Sequence, residues 1–100
     1  MSLHHETNTH LSMSELRGLV SELNTDRARL TRSLTLMADD TGEEATRVRE
    51  HTQARHDAVV AAIERVADDT YGVCVRCGEG IPYGRLLVMP EVTHCVTCQG

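Results

Sequence analysis

The sequence is poor in large aromatic side chains. Its 100 residues contain no Phe, no Trp and two Tyr, although 40% of the residues are hydrophobic. Aromatic side chains bury the most area per residue, so any core must consist of Leu, Val, Ile, Ala and Met. A chain this short buries only a modest share of its surface, so we expect help from a metal, a disulfide or a partner. These absences argue against an enzyme with a deep pocket of its own.

Lysine is also absent, and the ten Arg face fifteen acidic residues, which gives a net charge of −5. Binding to DNA depends on neutralising phosphates, so this charge argues against direct DNA binding. No apolar run approaches the ~20 residues that span a bilayer, and the N-terminus lacks the pattern of a secretion signal. We therefore expect a cytoplasmic protein that does not enter a membrane.

The N-terminal residues are mostly polar and aperiodic, which predicts a disordered arm over 1–11. Three of the six His lie in this arm, at His4, His5 and His10. We expect these three side chains to be solvated rather than to bind a metal.

Residues 12–37 show the periodicity of a long helix, because apolar residues recur at spacings of three, four and seven. This stripe consists of Leu16, Leu19, Leu23, Leu30, Leu34 and Met37. Ser12 with Glu15 three residues later is the pattern of an N-terminal capping box. Asp26 interrupts the stripe where an apolar side chain would fit.

Residues 38–42 break the helical pattern and predict a turn. Thr41 with Glu44 forms a second capping pattern, which predicts a second helix over 42–69. Its stripe consists of Ala45, Val48, Val59, Ala62, Ile63 and Val66. Gly72 is expected to cap the end of this helix.

A turn this short makes the two helices antiparallel, so 12–70 is predicted to be a helical hairpin, a coiled coil with its tip at 38–42. We expect a monomer. The Arg side chains of the hairpin are expected to be mostly solvated. They are Arg17, Arg27, Arg29, Arg32, Arg47, Arg49, Arg55 and Arg65.

Four Cys in residues 71–100 carry the strongest signal in the chain. They are Cys74, Cys77, Cys95 and Cys98, in the pattern C-x2-C-x17-C-x2-C. This spacing is typical of a four-thiolate zinc site, and disulfides are rare in the cytosol. Because protein fills all four positions, one structural zinc is predicted. A redox dithiol and an iron–sulfur cluster are the competing interpretations.

Between the Cys pairs lies a predicted apolar cluster, whose folding energy the metal would supply. Its members are Ile81, Leu86, Leu87, Val88 and Met89, with Tyr71 and Tyr83.

The spacer residues also form a pattern, which resembles the DksA/TraR-type zinc finger. They are Tyr71, Gly72, Gly78, Ile81, Arg85, Leu86 and Pro90. The resemblance implies a mainly α protein, with an antiparallel helical hairpin followed by a small C-terminal four-Cys zinc finger. Family members bind bacterial RNA polymerase and push the hairpin into its secondary channel, where acidic tip residues act near the catalytic centre.

The tip matches the family only in part. Regulators of initiation often carry Asp-x-x-Asp followed by Arg-Ala, and here Asp40, Glu43 and Ala45 fall at that spacing, with Glu44 in place of Arg. We take Asp39, Asp40 and Glu43 as candidate partner-binding residues. Acids are also common in turns and first helical turns for local reasons.

The resemblance thus implies a non-enzymatic transcription regulator with RNA polymerase as its partner. A thiol or zinc redox sensor and a DNA-binding zinc-finger protein are the alternatives. The sequence shows no nucleophile–base pair, phosphate loop or open metal site that would indicate an enzyme.

Overall fold

The computed structural model describes residues 10–99, which form an elongated molecule of 55 × 28 × 21 Å. Helix α1 spans Met13–Leu36 and helix α2 spans Glu43–Ala67, and the two pack along each other as an antiparallel hairpin. The predicted fold class, a helical hairpin followed by a small four-Cys module, is confirmed. None of the helices in residues 10–99 has the length and apolar character needed to span a bilayer.

Helix α1 begins with the predicted capping box. The Ser12 hydroxyl accepts a hydrogen bond from the Glu15 amide at 3.0 Å, and the Glu15 carboxylate accepts one from the Ser12 amide at 2.9 Å. Both amides would otherwise lack a partner at the first turn of a helix. The N-terminal end of the hairpin is therefore determined by two residues close in sequence.

The start of α2 differs from the prediction. Its N-cap is Gly42, which makes no side-chain capping bond, so the predicted capping box of Thr41 and Glu44 is wrong. Glu43 and Glu44 still occupy the first turn of α2, where the helix dipole favours negative charge.

The C-terminal end of α2 is closed by Asp69 rather than by a glycine. Asp69 has a φ of 65°, its amide donates to the Val66 carbonyl at 3.2 Å, and the Thr70 amide donates to the Arg65 carbonyl at 2.9 Å. These bonds make a Schellman motif, in which Asp is one of the few residues other than glycine that enter the left-handed region. The predicted capping role of Gly72 is wrong, since Gly72 lies in the following module.

The module after the hairpin contains helix α3, Tyr83–Val88, and helix α4, Val96–Gln99. An isolated antiparallel bridge joins Val73 and Gly80. Helix α3 contacts α1, so the module folds back onto the base of the hairpin.

The core lies at the junction of the hairpin base and the module. Its buried residues are Leu11, Leu19, Leu23, Val59, Ala62, Tyr71, Cys74, Ile81, Leu86 and Val92. The apolar cluster predicted inside the module forms only in part, because Leu87, Val88 and Met89 are exposed. A six-residue helix can direct only one side inward, and in α3 that side carries Leu86.

His10 and Leu11 belong to this junction, which corrects the prediction of disorder for these two residues. Leu11 is buried in the core, and His10 Nε2 lies 2.9 Å from the Ile81 carbonyl oxygen. A Cβ atom on Gly80 would lie about 3.0 Å from the His10 ring, so the glycine leaves space for the imidazole. His4 and His5 lie outside the described residues.

Asp26 interrupts the stripe as the sequence indicated, yet it is buried on the inner side of α1. Its carboxylate accepts a hydrogen bond from the Arg29 guanidinium one turn later. The partner explains how a charged group is tolerated there, because burial of an unpaired carboxylate is costly.

Candidate metal centre and hairpin tip

The first Cys pair lies on a tight turn of the backbone. The Cys74 amide donates to the Glu79 carbonyl at 2.8 Å, and the Gly78 amide donates to the Cys74 carbonyl at 3.0 Å. Gly78 has a φ of 80°, a conformation that side chains disfavour. The turn directs Cys74 and Cys77 to the same place.

The second Cys pair lies where α4 begins. Cys95 directly precedes α4 and Cys98 lies within it. A single helical turn separates the two residues, so their side chains share one side of the helix. The Val75 amide donates to the Thr93 carbonyl at 2.9 Å, which holds the two Cys pairs next to each other.

The four sulfur atoms form one cluster, in which all Sγ atoms lie within 4.8 Å of one another. The Cys77 and Cys95 Sγ atoms are 3.7 Å apart. A tetrahedral ion with Zn–S bonds of ~2.3 Å requires sulfur–sulfur distances of about 3.8 Å. The cluster fits one zinc ion with protein ligands in all four positions, which makes it a structural site rather than one that activates water.

The surrounding protein favours one thiolate more than the others. Burial opposes the charged form of Cys74, but hydrogen bonds from the backbone of Cys95, Cys77 and Arg76 outweigh it and lower the Cys74 pKa to about 5. Burial and the neighbouring thiols raise the pKa of Cys98 to about 12. Four thiols so close together cannot all ionise without a cation among them, so metal binding must release protons.

The module is anchored to its surroundings by polar contacts as well as by the core. The buried Tyr71 hydroxyl donates to the Pro90 carbonyl at 2.9 Å, and burial raises the Tyr71 pKa to about 12. Arg55 of α2 forms an ion pair with Glu91 at 3.3 Å. Arg55 is therefore not simply solvated, in contrast to the expectation for the hairpin Arg residues.

Comparison with known proteins bears first on this module. Residues 69–100 match the family model of the prokaryotic DksA/TraR C4-type zinc finger. The chain carries a zinc finger of the DksA/TraR family. The predicted resemblance and the predicted single structural zinc are thereby confirmed. A curated relative, an uncharacterized protein of Aquifex aeolicus (strain VF5), is 46% identical over 37 residues, which are 37% of this chain. The match spans about a quarter, 26%, of that relative's length.

One solved structure extends the likeness from the DksA/TraR zinc finger to the hairpin. The transcription factor DksA2 from Pseudomonas aeruginosa superposes with a TM-score of 0.72 at 23% identity, covering 88% of this chain and 82% of DksA2. This likeness shows a shared fold. The RNA polymerase binding protein and transcriptional regulator Dks from Chlamydia trachomatis L2 (LGV434) has a TM-score of 0.44 at 23% identity, over 79% of this chain and 84% of that one.

The hairpin tip lies between the two long helices, far from the zinc finger in sequence. Asp39, Asp40 and Glu43 are all exposed there. Within residues 10–99 their carboxylates form no ion pair or hydrogen bond. The structure thus brings the three candidate acids together at one end of the molecule, with their charges facing solvent.

Arg49 holds the tip loop in place, a role that the sequence analysis missed. Its guanidinium donates to the Asp40 carbonyl at 2.8 Å and to the Met37 carbonyl at 3.1 Å. Carbonyl groups at the end of a helix lack intrahelical partners and carry partial negative charge. The sequence indicates this role of Arg49 only by its position. In an antiparallel hairpin, an Arg in the second turn of α2 lies beside the C-terminal end of α1.

Proposed function

We propose that this protein is a non-enzymatic, cytoplasmic transcription regulator. It binds bacterial RNA polymerase as a monomer and inserts the hairpin tip into the secondary channel. The observation that carries the proposal is the acidic tip: three unpaired carboxylates at the end of a hairpin whose base is held by a DksA/TraR zinc finger. The shared fold with a transcription factor, DksA2, supports it.

The shape of the molecule suits this role. Two packed helices of about 10–12 Å diameter each make a rod narrow enough for a pore that a globular surface cannot enter. The tip carboxylates are hard oxygen ligands or hydrogen-bond acceptors, which suit either a magnesium ion or a basic loop near a polymerase active site. In this proposal Cys74, Cys77, Cys95 and Cys98 bind the structural zinc, and Asp39, Asp40 and Glu43 contact the polymerase.

The first test is binding of the zinc-loaded protein to purified RNA polymerase core enzyme, with an established secondary-channel factor as competitor. We expect mutual displacement. Absence of binding at tens of micromolar, or binding that the competitor does not affect, would refute the proposal.

The second test removes the tip charges without changing side-chain size. The variant Asp39→Asn, Asp40→Asn, Glu43→Gln should keep its fold, because these side chains have no partners in the described structure, and should lose its effect on promoter-complex lifetime. Glu50→Gln is a single-site control at an exposed acid of α2, seven residues or about two helical turns beyond Glu43. Normal regulation by the triple variant would show that the tip acids have no role.

A second candidate function, a thiol redox sensor, is favoured by the exposure of Cys77 and its 3.7 Å distance from Cys95. Hydrogen peroxide would oxidise these two thiols to a disulfide and be reduced to two water molecules. The S–S distance would shorten to about 2.05 Å, and the site would lose two of its ligands. Zinc release at micromolar peroxide is the expected sign of this function. Zinc retention under those conditions would exclude it.

A further inference from the structure

The second Cys pair follows a segment that lies outside the helices. Residues 89–94 connect the end of α3 to Cys95, and we call them the ligand loop. Within the module, the loop is held by backbone contacts such as the bond from the Val75 amide to the Thr93 carbonyl at 2.9 Å. The position of the second Cys pair therefore depends on how firmly the ligand loop is fixed.

An ion pair joins the ligand loop to the hairpin. Arg55 Nε of α2 lies 3.3 Å from Glu91 Oε2 of the loop. Arg55 lies one turn closer to the tip than Val59, the first buried residue of α2. The ion pair thus reaches a part of α2 that the core does not cover.

The ion pair crosses a gap between α2 and the module. All Cα atoms of α3 and α4 stay more than 8 Å from those of α2. A groove of about 500 Å³ lies between α2 and the end of α3. Its lining residues are His51, Ala54, Arg55, Val88, Met89 and Glu91. At this level of the rod, side chains rather than packed helices connect α2 to the zinc finger.

Glu91 depends on this partner more than Arg55 does. The Glu91 side chain is 11% exposed, whereas that of Arg55 is 49% exposed. Glu91 Oε1 is buried without a hydrogen-bond partner among residues 10–99, and no ion pair joins Glu91 to the nearby Arg65. Because an enclosed carboxylate is costly without a compensating charge, loss of Arg55 would destabilise the loop directly before Cys95.

We propose that Arg55 is a positioning residue for the zinc site. By pairing with Glu91 it fixes the ligand loop, so that retention of zinc depends on a side chain of the hairpin. Groups that orient metal ligands from outside commonly change metal affinity by about 10–100-fold when they are removed. The proposal concerns the zinc finger and the hairpin alone, and does not depend on the partner of the hairpin tip.

This link works in both directions. If Arg55 stabilises the zinc site, zinc must stabilise α2 around Arg55 by the same free energy. The metal would then hold α2 beyond the last residue of the core, and its loss would loosen the middle of the rod. The ion pair would thereby transmit the metal state of the zinc finger toward the tip.

The experiment measures the rate of zinc release from the zinc-loaded full chain into an excess of a chromogenic chelator. We expect Arg55→Gln to accelerate release by about tenfold, because it leaves the enclosed Glu91 carboxylate without its partner. Glu91→Gln should accelerate release by about threefold, since the half-exposed Arg55 that remains is solvated. Arg55→Lys keeps the positive charge and should stay within about threefold of the wild type.

A double variant separates positioning from a general loss of stability. Arg55→Gln with Glu91→Gln removes the pair without leaving an enclosed charge, so it should release zinc about threefold faster than the wild type, no faster than Glu91→Gln alone. Two controls match the charge changes: Arg47→Gln at an exposed Arg of α2, and Glu79→Gln at an exposed acid of the zinc finger. Both should stay within about twofold of the wild type.

Amide hydrogen exchange tests the effect of zinc on the hairpin. Zinc should slow exchange in residues 52–58 of α2, and this slowing should be at least about threefold smaller in Arg55→Gln than in the wild type. In residues 60–66, which the core holds, the zinc-dependent slowing should be the same in both proteins.

Two results would overturn the proposal. Zinc release from Arg55→Gln at the rate of Arg47→Gln would show that the ion pair does not position the site. A double variant in which the two accelerations multiply, to about thirtyfold, would show that the residues act independently. Neither result concerns binding to RNA polymerase, so the proposed function is tested separately.

Discussion

The molecule consists of two regions that differ in how they are held together. In the proximal region, residues 10–26 and 59–99, the hairpin base and the zinc finger share one core. In the distal region, residues 27–58, no residue is buried. The distal helices are held together by half-buried side chains and by the hydrogen bonds of the Arg49 guanidinium. Stability is therefore concentrated at one end of the rod, and the other end is free to present charge.

Metal removal should produce the largest difference in stability between the proximal and distal regions. Structural zinc contributes about 10–16 kcal/mol to the folding of small zinc modules. Chelation should therefore expose Tyr71, which is fully buried, and abolish cooperative unfolding of the proximal region. Near-ultraviolet circular dichroism of the two Tyr, followed during titration with a chelator, measures this effect.

The control for metal removal is Cys77→Ser, whose spectrum should already resemble that of the chelated protein. An unchanged thermal melt after complete zinc removal would show that the core alone supports the module.

Truncation of a leucine side chain in α1 should destabilise the protein more in the proximal region than in the distal region. Leu23 is completely buried and Leu34 is only partly buried. We expect Leu23→Ala to lower the free energy of unfolding by about 3 kcal/mol and Leu34→Ala by about 1 kcal/mol, because the cavity cost depends on how closely the site is packed. Urea unfolding of the zinc-loaded variants gives both values. Equal losses would contradict a core confined to the proximal region.

High pH should weaken the proximal region through Tyr71. Burial raises the pKa of Tyr71 from its ordinary value near 10 to about 12, so the folded state favours the neutral phenol. This contribution is complete below pH 10 and is lost as the pH rises toward 12, which lowers the free energy of unfolding by about 2 kcal/mol. Unfolding experiments between pH 8 and pH 12 follow this change.

Two variants isolate the effect of Tyr71 on this pH dependence. Tyr71→Phe should flatten the profile above pH 10, and Tyr83→Phe, a change at the partly buried tyrosine, should leave the profile like that of the wild type. If the unfolding free energy of Tyr71→Phe falls with pH as steeply as that of the wild type, the loss of stability comes from other titratable groups.

Loss of the Arg49 bonds should have the smallest effect, confined to the distal region. Arg49→Ala removes a bond to the Met37 carbonyl at the C-cap of α1 and a bond to the Asp40 carbonyl of the tip loop, and should cost about 1 kcal/mol. Amide hydrogen exchange should accelerate in residues 37–46 and stay unchanged in the zinc finger. Arg47→Ala changes an exposed Arg two residues away. It should alter neither the free energy of unfolding nor the amide exchange of residues 37–46. Faster exchange throughout the chain would mean that the tip loop supports the core.

Local patterns explain which features the sequence predicted well. The Cys spacing, the apolar stripes and the capping box of Ser12 and Glu15 each join residues a few positions apart, so the chemistry of the pattern implies the geometry. The short turn between the stripes is also local, and it makes the helices antiparallel. The hairpin and the zinc finger followed from these features.

Other features depend on which distant segments meet, and the sequence did not show them. His10 and Leu11 pack on the zinc finger, 70 residues further along, and so are ordered where polar composition suggested disorder. Arg49 and Arg55 were expected to be solvated, but each found a partner that only the hairpin register or the module places nearby.

The sequence by itself determined the helices, the four-Cys pattern and the acidic turn, because each depends on the spacing of near neighbours. The tertiary structure decided that Leu87, Val88 and Met89 face outward, that Asp26 is buried beside Arg29, and that the core lies at one end of the rod. The physical reason is that burial is a property of packed surfaces. A side chain is buried only when another segment covers it, and one-dimensional periodicity does not specify that segment.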